Sequence, residues 1–187
     1  MPRPRSVTTS NGQARIGPPR VAIVVSRYNA TITDKLLEGA RSTFAVHFPL
    51  SNLEVIPSPG SFELPALALA AAKTGRFQGI VALGCLIKGE TAHDRIIADA
   101  VAQGLIQVTI ATGVPVTFGV LTTDTPEQAL ARAGGNHGNK GADAMSALLD
   151  TLAAMDTLAR KPRDSIPGFL GSSPPKPDKA ARHRSRR

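Results

Sequence analysis

The sequence predicts an α/β fold built around a four-stranded parallel sheet. Two observations predict it: short apolar runs of the kind found in strands buried on both faces, and segments of helical apolar spacing between them. The two patterns alternate along a chain of 187 residues, of which 42% are hydrophobic. That is enough apolar material for one sizeable core. Alternating strands and helices indicate a parallel sheet, because the chain must cross over between consecutive parallel strands and usually does so through a helix.

The first two strand-helix units fall within residues 21–75. Residues 21–25 form the first predicted strand, and the helix after it opens on Thr31-Ile32-Thr33-Asp34, which has the spacing of a capping box. Residues 53–56 form the second strand, and a proline- and glycine-rich turn follows at 57–60. The second helix then runs to Gly75, a typical helix stop.

The remaining units occupy residues 80 to about 159. Residues 80–87 form the third predicted strand and 116–121 the fourth, with a long helix from Thr91 to about Thr112 between them. A short helix starts at the N-cap Thr125, because a proline follows at the first helical position. A glycine pair ends it, and the last helix starts near Lys140.

Four such units with right-handed crossovers predict a three-layer α/β/α domain of the flavodoxin-like kind. In an open parallel sheet, ligands bind beyond the carboxyl ends of the strands. The loops expected to carry function are therefore 26–30, 57–63, 88–94 and 122–125.

Charge divides the chain into three parts. Residues 1–20 hold four arginines and no acid, and residues 160–187 hold nine Lys/Arg against two Asp, so the two ends together carry +11. The whole chain carries +8, which leaves −3 for residues 21–159. Both ends are also proline-rich, so we predict a disordered basic arm at 1–20, a domain at 21–159 and a disordered tail at 160–187. A solubilising tail is favoured over a nucleic-acid contact, because no aromatic residues interleave the arginines.

Several classes of protein are disfavoured by motif and composition. With one cysteine, Cys85, no intramolecular disulfide can form, and the four histidines lack metal-ligand spacing, so no metal is expected. The apolar runs are too short to cross a membrane, and we expect a cytoplasmic protein. No Gly-x-Gly-x-x-Gly follows the first strand, and Gly138-Asn139-Lys140-Gly141 lacks the Walker spacing, so no nucleotide cofactor is expected.

The loop after the third strand offers a phosphate site and a proton carrier. Gly89 lets a ligand approach the backbone, and free amides at a helix start suit a phosphate. One turn on, His93 could exchange a proton with whatever the phosphate anchors. A Thr-capped helix with a solvated histidine explains the same residues equally well.

The loops after the first two strands carry aromatic and polar side chains. Tyr28 could stack on a planar heterocycle and Asn29 pair with its edge, although an ordinary polar loop fits equally. Glu63 could accept hydrogen bonds from a polyhydroxylated ligand. For a single sequence, Glu63 complementing the helix dipole and Phe62 packing is the simpler interpretation.

Five blocks then occur in a distinctive order and spacing. They read VVSRYN at 24–29, PGSFELP at 59–65, ALGCLIKGETAH at 82–93, PVTFGVLTT at 115–123, and QALARAG followed by GNKG within 128–141. Together, over roughly residues 20–158, they resemble the lumazine synthases of riboflavin biosynthesis. The resemblance implies a cofactor-free transferase that condenses 5-amino-6-(D-ribitylamino)uracil with 3,4-dihydroxy-2-butanone 4-phosphate, giving 6,7-dimethyl-8-ribityllumazine, phosphate and water.

The resemblance also assigns residues to roles. His93 becomes the proton shuttle. The pyrimidine and its ribityl chain are assigned to Tyr28, Asn29, Ser61, Phe62, Glu63, Leu86, Ile87, Phe118 and Lys140. The phosphate is assigned to Gly89, Glu90, Thr91 and Arg132. Phe118, Arg132 and Lys140 reach the site from an adjacent subunit in the family.

An active site shared between subunits implies a homo-oligomer. The family forms pentamers, and the short connection between Arg132 and Lys140 resembles members that assemble twelve pentamers into an icosahedral capsid of sixty subunits. Riboflavin synthase is a further partner that the resemblance suggests. The chain departs from the family where Asp94-Arg95 follows His93, a place usually held by an aromatic residue and then an acid.

Two other hypotheses are weighed against the enzyme. One is a module on the same fold that binds a flavin or lumazine without turnover. The other is a structural cage or a nucleic-acid binder with a basic tail. Only the charged ends and the resemblance to capsid-forming members support it. The presence of both His93 and Arg132 favours the enzyme.

Overall fold

The computed structural model describes residues 18–160 together with two short N-terminal strands. In chain order the elements are β1 (Val7–Thr8), β2 (Ala14–Arg15), β3 (Val21–Ser26), α1 (Ala30–His47), a 3-10 turn (Leu50–Asn52), β4 (Leu53–Ser58), α2 (Leu64–Lys73), β5 (Gly79–Ile87), α3 (His93–Thr112), β6 (Val116–Thr123), α4 (Pro126–Arg132), β7 (Ala133–Gly135), β8 (Gly138–Asn139) and α5 (Lys140–Arg160). β1 pairs antiparallel with β2 and contacts α5, within the segment predicted to be an arm. The rest of that arm, up to residue 17, and the predicted tail after Arg160 lie outside the described residues.

The predicted four-stranded parallel sheet is confirmed. Its strand order is β4-β3-β5-β6, and all three pairings are parallel. Because β3 and β5 are the central strands, the loops after them open side by side at the carboxyl edge. Within the described residues, no helix is long and apolar enough to cross a membrane.

Each layer of helices packs on one face of the sheet, as strand alternation requires. In β5, Val81, Leu83 and Cys85 join the core beneath α1 and α5. The alternate residues Ile80 and Ala82 join the core beneath α2 and α3. The sheet therefore has an apolar core and a layer of helices on each face, which confirms the α/β/α arrangement.

Helix starts differ from the sequence prediction in two places. α1 begins at Ala30, ahead of the expected capping box, and its N-cap Asn29 has a left-handed backbone with φ 59°. α3 begins at His93 with Ala92 at the N-cap and no side-chain cap, so the expected Thr-capped start is wrong. The predicted cap of α4 is confirmed, since Thr125 Oγ1 accepts a hydrogen bond from Gln128 N at 3.3 Å.

All four strands of the sheet are longer than predicted, β3 and β5 by one residue and β4 and β6 by two. Pro57 and Ser58, expected in a turn, are the last residues of β4, and their partners across β3 are Val25 and Ser26. β6 continues to Thr123 beside Ile87 of β5. These extensions have a common cause, since paired backbone groups continue the ladder wherever a neighbouring strand supplies partners, even past a proline or polar residue.

The junction of α1 and α5 depends on Asn139. Its Nδ2 donates to Lys35 O at 2.8 Å, and its Oδ1 accepts from Gly141 N at 2.9 Å and Ala142 N at 3.1 Å. The side chain therefore caps α5 and ties it to α1. Gly39 provides the room, because a Cβ there would collide with the Asn139 side chain.

Replacing Asn139 with alanine is expected to lower the free energy of unfolding by about 1–2 kcal/mol, the usual cost of losing an N-cap. Asn139→Asp keeps a capping oxygen, but it replaces the donor to Lys35 O with a second acceptor, so it should recover only part of that stability. Urea unfolding of the three proteins measures the effect. Equal stability of the alanine variant and the parent would show that the cap is dispensable.

Candidate active site

A cleft of about 780 Å³ opens at the carboxyl ends of β3, β4 and β5, and we call it the strand-end cleft. Ten residues predicted to bind substrate or move protons line it: Tyr28, Asn29, Ser61, Phe62, Glu63, Leu86, Ile87, Gly89, Thr91 and His93. They come from the carboxyl end of β5 and from the segments that follow β3, β4 and β5. The parallel topology alone brings them together, as the strand-end rule predicts.

The loop after β3 presents an aromatic ring on a braced backbone. Tyr28 is 69% exposed, and its N donates to Ser26 Oγ at 3.2 Å. Asn29 lies beside it, and its Nδ2 donates to Cys85 O at 3.0 Å. The amide nitrogen of Asn29 therefore joins this loop to β5, and its side-chain oxygen remains as the group that can face a ligand.

The loop between β4 and α2 places one side chain against the sheet and two toward solvent. Ser61 is 5% exposed, whereas Phe62 is 59% exposed and Glu63 is also exposed. The turn is held by Ser58, whose Oγ donates to Gly60 O at 2.7 Å. Packing of Phe62, the simpler interpretation of the sequence, is not seen within the chain, and its ring instead forms part of the cleft wall.

The loop between β5 and α3 supplies the polar end of the cleft. Gly89, Thr91 and His93 line it, whereas Glu90 is exposed and does not. A Cβ on Gly89 would meet open space, so this backbone can be approached closely. Because Ala92 leaves the start of α3 without a side-chain cap, its amides stay free to bind an anion.

The strand-end cleft has an unfavourable charge for a phosphate. Glu63 and Asp94 line it, and no lysine or arginine among the described residues does. Three basic residues adjoin lining residues in sequence, namely Arg27, Lys88 and Arg95, but none of them lines the cleft, and Lys88 pairs with Asp124 at 3.7 Å. A phosphate bound here would thus need a cation from elsewhere.

A second cleft, of about 660 Å³, does contain basic side chains, and we call it the edge cleft. It follows β6, the edge strand of the sheet, and includes Phe118, Arg132 and Lys140. Phe118 is 45% exposed. Lys140 Nζ pairs with Asp143 at 2.7 Å, whereas Arg132 Nη1 donates to Gln128 O at 3.1 Å and has no carboxylate partner among the described residues.

The two clefts have no lining residue in common. Ten of the fourteen predicted residues lie in one and three in the other, so a single chain does not assemble the whole predicted set. Comparison with known proteins bears on this division. The sequence model of the 6,7-dimethyl-8-ribityllumazine synthase family matches residues 18–156.

The chain belongs to this family. It is 47% identical over 139 residues to 6,7-dimethyl-8-ribityllumazine synthase 1 of Caulobacter vibrioides, covering 74% of this chain and 91% of that protein. The synthase of Deinococcus deserti is 48% identical over 71% of this chain and 86% of its own length. That of Xanthomonas oryzae pv. oryzae is 43% identical over 81% and 99%. The predicted lumazine synthase of riboflavin biosynthesis is confirmed.

Some residues that line the two clefts of this lumazine synthase were not predicted as site residues. Asp94, noted only as a departure from the family, lines the strand-end cleft with Ile96 and Ile97 in the first turns of α3. Ile96 and Ile97 lie three and four residues after His93, a spacing that places them on the same helix face. Asp143, the ion-pair partner of Lys140, could have been found from its i,i+3 spacing.

Cys85 lies on β5 with its side chain fully buried, and burial makes its thiol unreactive. Burial raises its pKa to about 11, because the thiolate would lose its hydration there. An unfolded thiol has a pKa of about 8.5. The folded state therefore binds the thiol proton more tightly than the unfolded state does. As pH rises from about 8.5 toward 11, the unfolded thiol ionises before the folded one, so the free energy of unfolding falls.

We expect iodoacetamide at pH 8 to label native Cys85 far more slowly than the same protein in denaturant, because the thiolate is the reacting species. Mass spectrometry of timed samples measures both rates. Equally fast labelling of native and denatured protein would contradict the buried environment.

Proposed function

We propose that this chain condenses 5-amino-6-(D-ribitylamino)uracil with 3,4-dihydroxy-2-butanone 4-phosphate at a site that joins the strand-end cleft of one subunit to the edge cleft of its neighbour. One observation carries the proposal. The stacking, hydrogen-bonding and proton-transfer groups lie in a cleft that no lysine or arginine of the described residues lines, and Arg132, which has no carboxylate partner among those residues, lies in a separate cleft on the sheet edge. Joining the two clefts supplies what each lacks.

The pyrimidine would bind at the aromatic end of the strand-end cleft. Tyr28 offers a ring for stacking, and Phe118 of the neighbour would cover the opposite side. Glu63 would accept hydrogen bonds from the ribityl hydroxyls, and the side-chain oxygen of Asn29 would meet the ring edge. Ser61, Phe62 and the backbone of Leu86 and Ile87 complete the wall, and Lys140 of the neighbour approaches from outside.

The phosphate would bind at the start of α3. Gly89 and Thr91 both line the cleft just before α3, so backbone amides and the Thr91 hydroxyl would bind the phosphate there. Arg132 of the neighbouring subunit supplies two parallel donors and a fixed charge, which suits a phosphate dianion. That charge offsets Glu63 and Asp94. Glu90, although in the same loop, would contribute through its backbone alone, because it does not line the cleft.

The chemistry then needs proximity and proton transfer. The 5-amino group attacks the C2 ketone and loses water to form an imine. A proton then leaves C3 as the C4–O bond to phosphate breaks, the resulting enol becomes a C3 ketone with a methyl group, and the ribitylamino nitrogen attacks this ketone to close the second ring with loss of a further water. His93 lines the same cleft as Gly89 and Tyr28, where it would carry protons to and from the reacting atoms. Holding both reactants together accounts for most of the acceleration.

Apolar surface on the described part of the chain supports assembly. Ile96, Ile106 and Ile110 on α3 are 65%, 52% and 70% exposed, and one edge of β6 is unpaired within the chain. Covering such surfaces is a usual reason for oligomers. We propose a homopentamer, and an icosahedral capsid of sixty subunits from the short connection between α4 and α5.

Two further proposals concern the setting of the enzyme. A lone, buried cysteine suits a reducing compartment, so we propose a cytoplasmic location. We also propose riboflavin synthase as a partner, since it would consume the lumazine product. No observation favours the alternative of a module that binds flavin or lumazine without turnover.

The reaction is tested by mixing purified, chelator-treated protein with both substrates and following lumazine absorbance and released phosphate. Equal amounts of the two products, formed faster than in the uncatalysed mixture, are expected. A rate no greater than background, with tight lumazine binding, would instead establish a binding protein.

A further inference from the structure

The hydroxyl of Ser61 is buried without a partner at the edge of the strand-end cleft. Ser61 lines the cleft, yet its Oγ is covered and finds no hydrogen-bond partner among the described residues. A water does not fit against the oxygen, since its accessible surface is below 1 Å². A buried polar group left in this way is unfavourable and calls for an explanation.

The covered position exists because residue 84 is a glycine. A Cβ at Gly84 would lie 2.6 Å from Ser61 Oγ, and 3.3 Å from both Leu64 Cδ1 and Val120 Cγ1. The hydroxyl thus occupies a notch that a side chain on β5 would otherwise fill. An alanine at residue 84 would overlap mainly the Ser61 hydroxyl, because the two contacts at 3.3 Å are only slightly tighter than ordinary packing distances.

Ser58 shows what a structural serine looks like in the same loop. It is fully buried, and its Oγ donates to Gly60 O at 2.7 Å. Ser61 is buried almost as deeply but makes no such bond. A role in holding the loop therefore accounts for Ser58 and does not account for Ser61.

We propose that the Ser61 hydroxyl rests in the Gly84 notch in the free chain and turns into the strand-end cleft when the pyrimidine substrate binds. Rotation about Cα–Cβ moves the oxygen between staggered positions, and a position facing the cleft would let it meet a bound ligand. Gly84 is then a positioning residue that acts through Ser61. This inference rests on the proposed function, because it names the substrate that draws the hydroxyl out.

The test uses the full-length assembled protein and 5-amino-6-(D-ribitylamino)uracil as the probe. Ser61→Ala removes the unpartnered hydroxyl, so we expect an unchanged or raised melting temperature together with a Kd for the pyrimidine about three- to tenfold weaker, the size of one neutral hydrogen bond. The KM for the butanone phosphate should stay unchanged. The matched control Ser58→Ala should lower the melting temperature.

Gly84→Ala gives the second arm. Filling the notch holds the hydroxyl outward, so we expect the Kd for the pyrimidine to be equal to or tighter than that of the parent, and adding Ser61→Ala should then weaken it. If Gly84→Ala does not fold, the Ser61→Ala arm decides alone. A parent-like Kd in Ser61→Ala, or a lowered melting temperature like that of Ser58→Ala, overturns the inference. A parent that fails to turn over both substrates would instead count against the proposed function.

Discussion

The Arg132→Ala variant is expected to raise the KM for 3,4-dihydroxy-2-butanone 4-phosphate about 10- to 100-fold, with the KM for the pyrimidine nearly unchanged. Arg132 lacks a carboxylate partner among the described residues, and the cleft it would complete contains Glu63 and Asp94 without a lysine or arginine. Losing charge-assisted hydrogen bonds of about 1.5–3 kcal/mol gives that range, since 1.4 kcal/mol is tenfold.

Two further variants show whether the effect belongs to the phosphate site. Arg132→Lys keeps the charge but loses the planar pair of donors, so an intermediate KM is expected. Arg41→Ala removes an exposed arginine of α1 that lines neither cleft, and it should behave as the parent. Steady-state kinetics with each substrate varied in turn measures all three. Equal rises in both KM values would contradict a phosphate role for Arg132.

Replacing His93 with alanine is expected to reduce kcat by about 100-fold or more, with little change in either KM. A positioned general acid-base group typically contributes that much. His93 is exposed at the first position of α3 and makes no hydrogen bond among the described contacts that would hold the fold. The melting temperature should therefore not change.

His47 provides the matched control for this loss. It is also an exposed histidine, but it lies at the last residue of α1 and lines neither cleft. His47→Ala should keep the parent kcat. A parent-like kcat in His93→Ala would show that His93 is a solvated histidine without a catalytic role, the alternative that the sequence equally allowed.

Local sequence patterns were sufficient to predict the sheet and its layers. Continuous apolar runs marked β3 and β5, and helical spacing marked α1 and α5, because burial on both faces or on one stripe leaves a direct trace in the sequence. Helix starts were less predictable. Asn29 adopts a left-handed backbone while its side chain reaches Cys85 O, a tertiary contact that overrides the local capping signal at Thr31.

The site was predictable to the extent that topology determines it. Tyr28, Glu63 and His93 follow three different strands, and the strand-end rule alone places them at one edge. Phe118 and Arg132 do not follow that rule, and only the family resemblance assigned them. The burial of the Ser61 hydroxyl was not predictable at all, because it depends on the missing Cβ of Gly84 on another strand.

The central claim is that the strand-end cleft of one subunit and the edge cleft of another form one active site. Co-expressing His93→Ala and Arg132→Ala subunits tests it most directly. Random mixing leaves about one quarter of the sites with both residues intact, because each site draws on two neighbouring subunits in a closed ring. With the butanone phosphate held below the parent KM, the mixed oligomers should therefore regain about a quarter of the parent kcat/KM for that substrate, while separately purified variants combined without subunit exchange keep only their low residual activities. Verified mixed oligomers with no activity above that of the two variants would contradict a shared site.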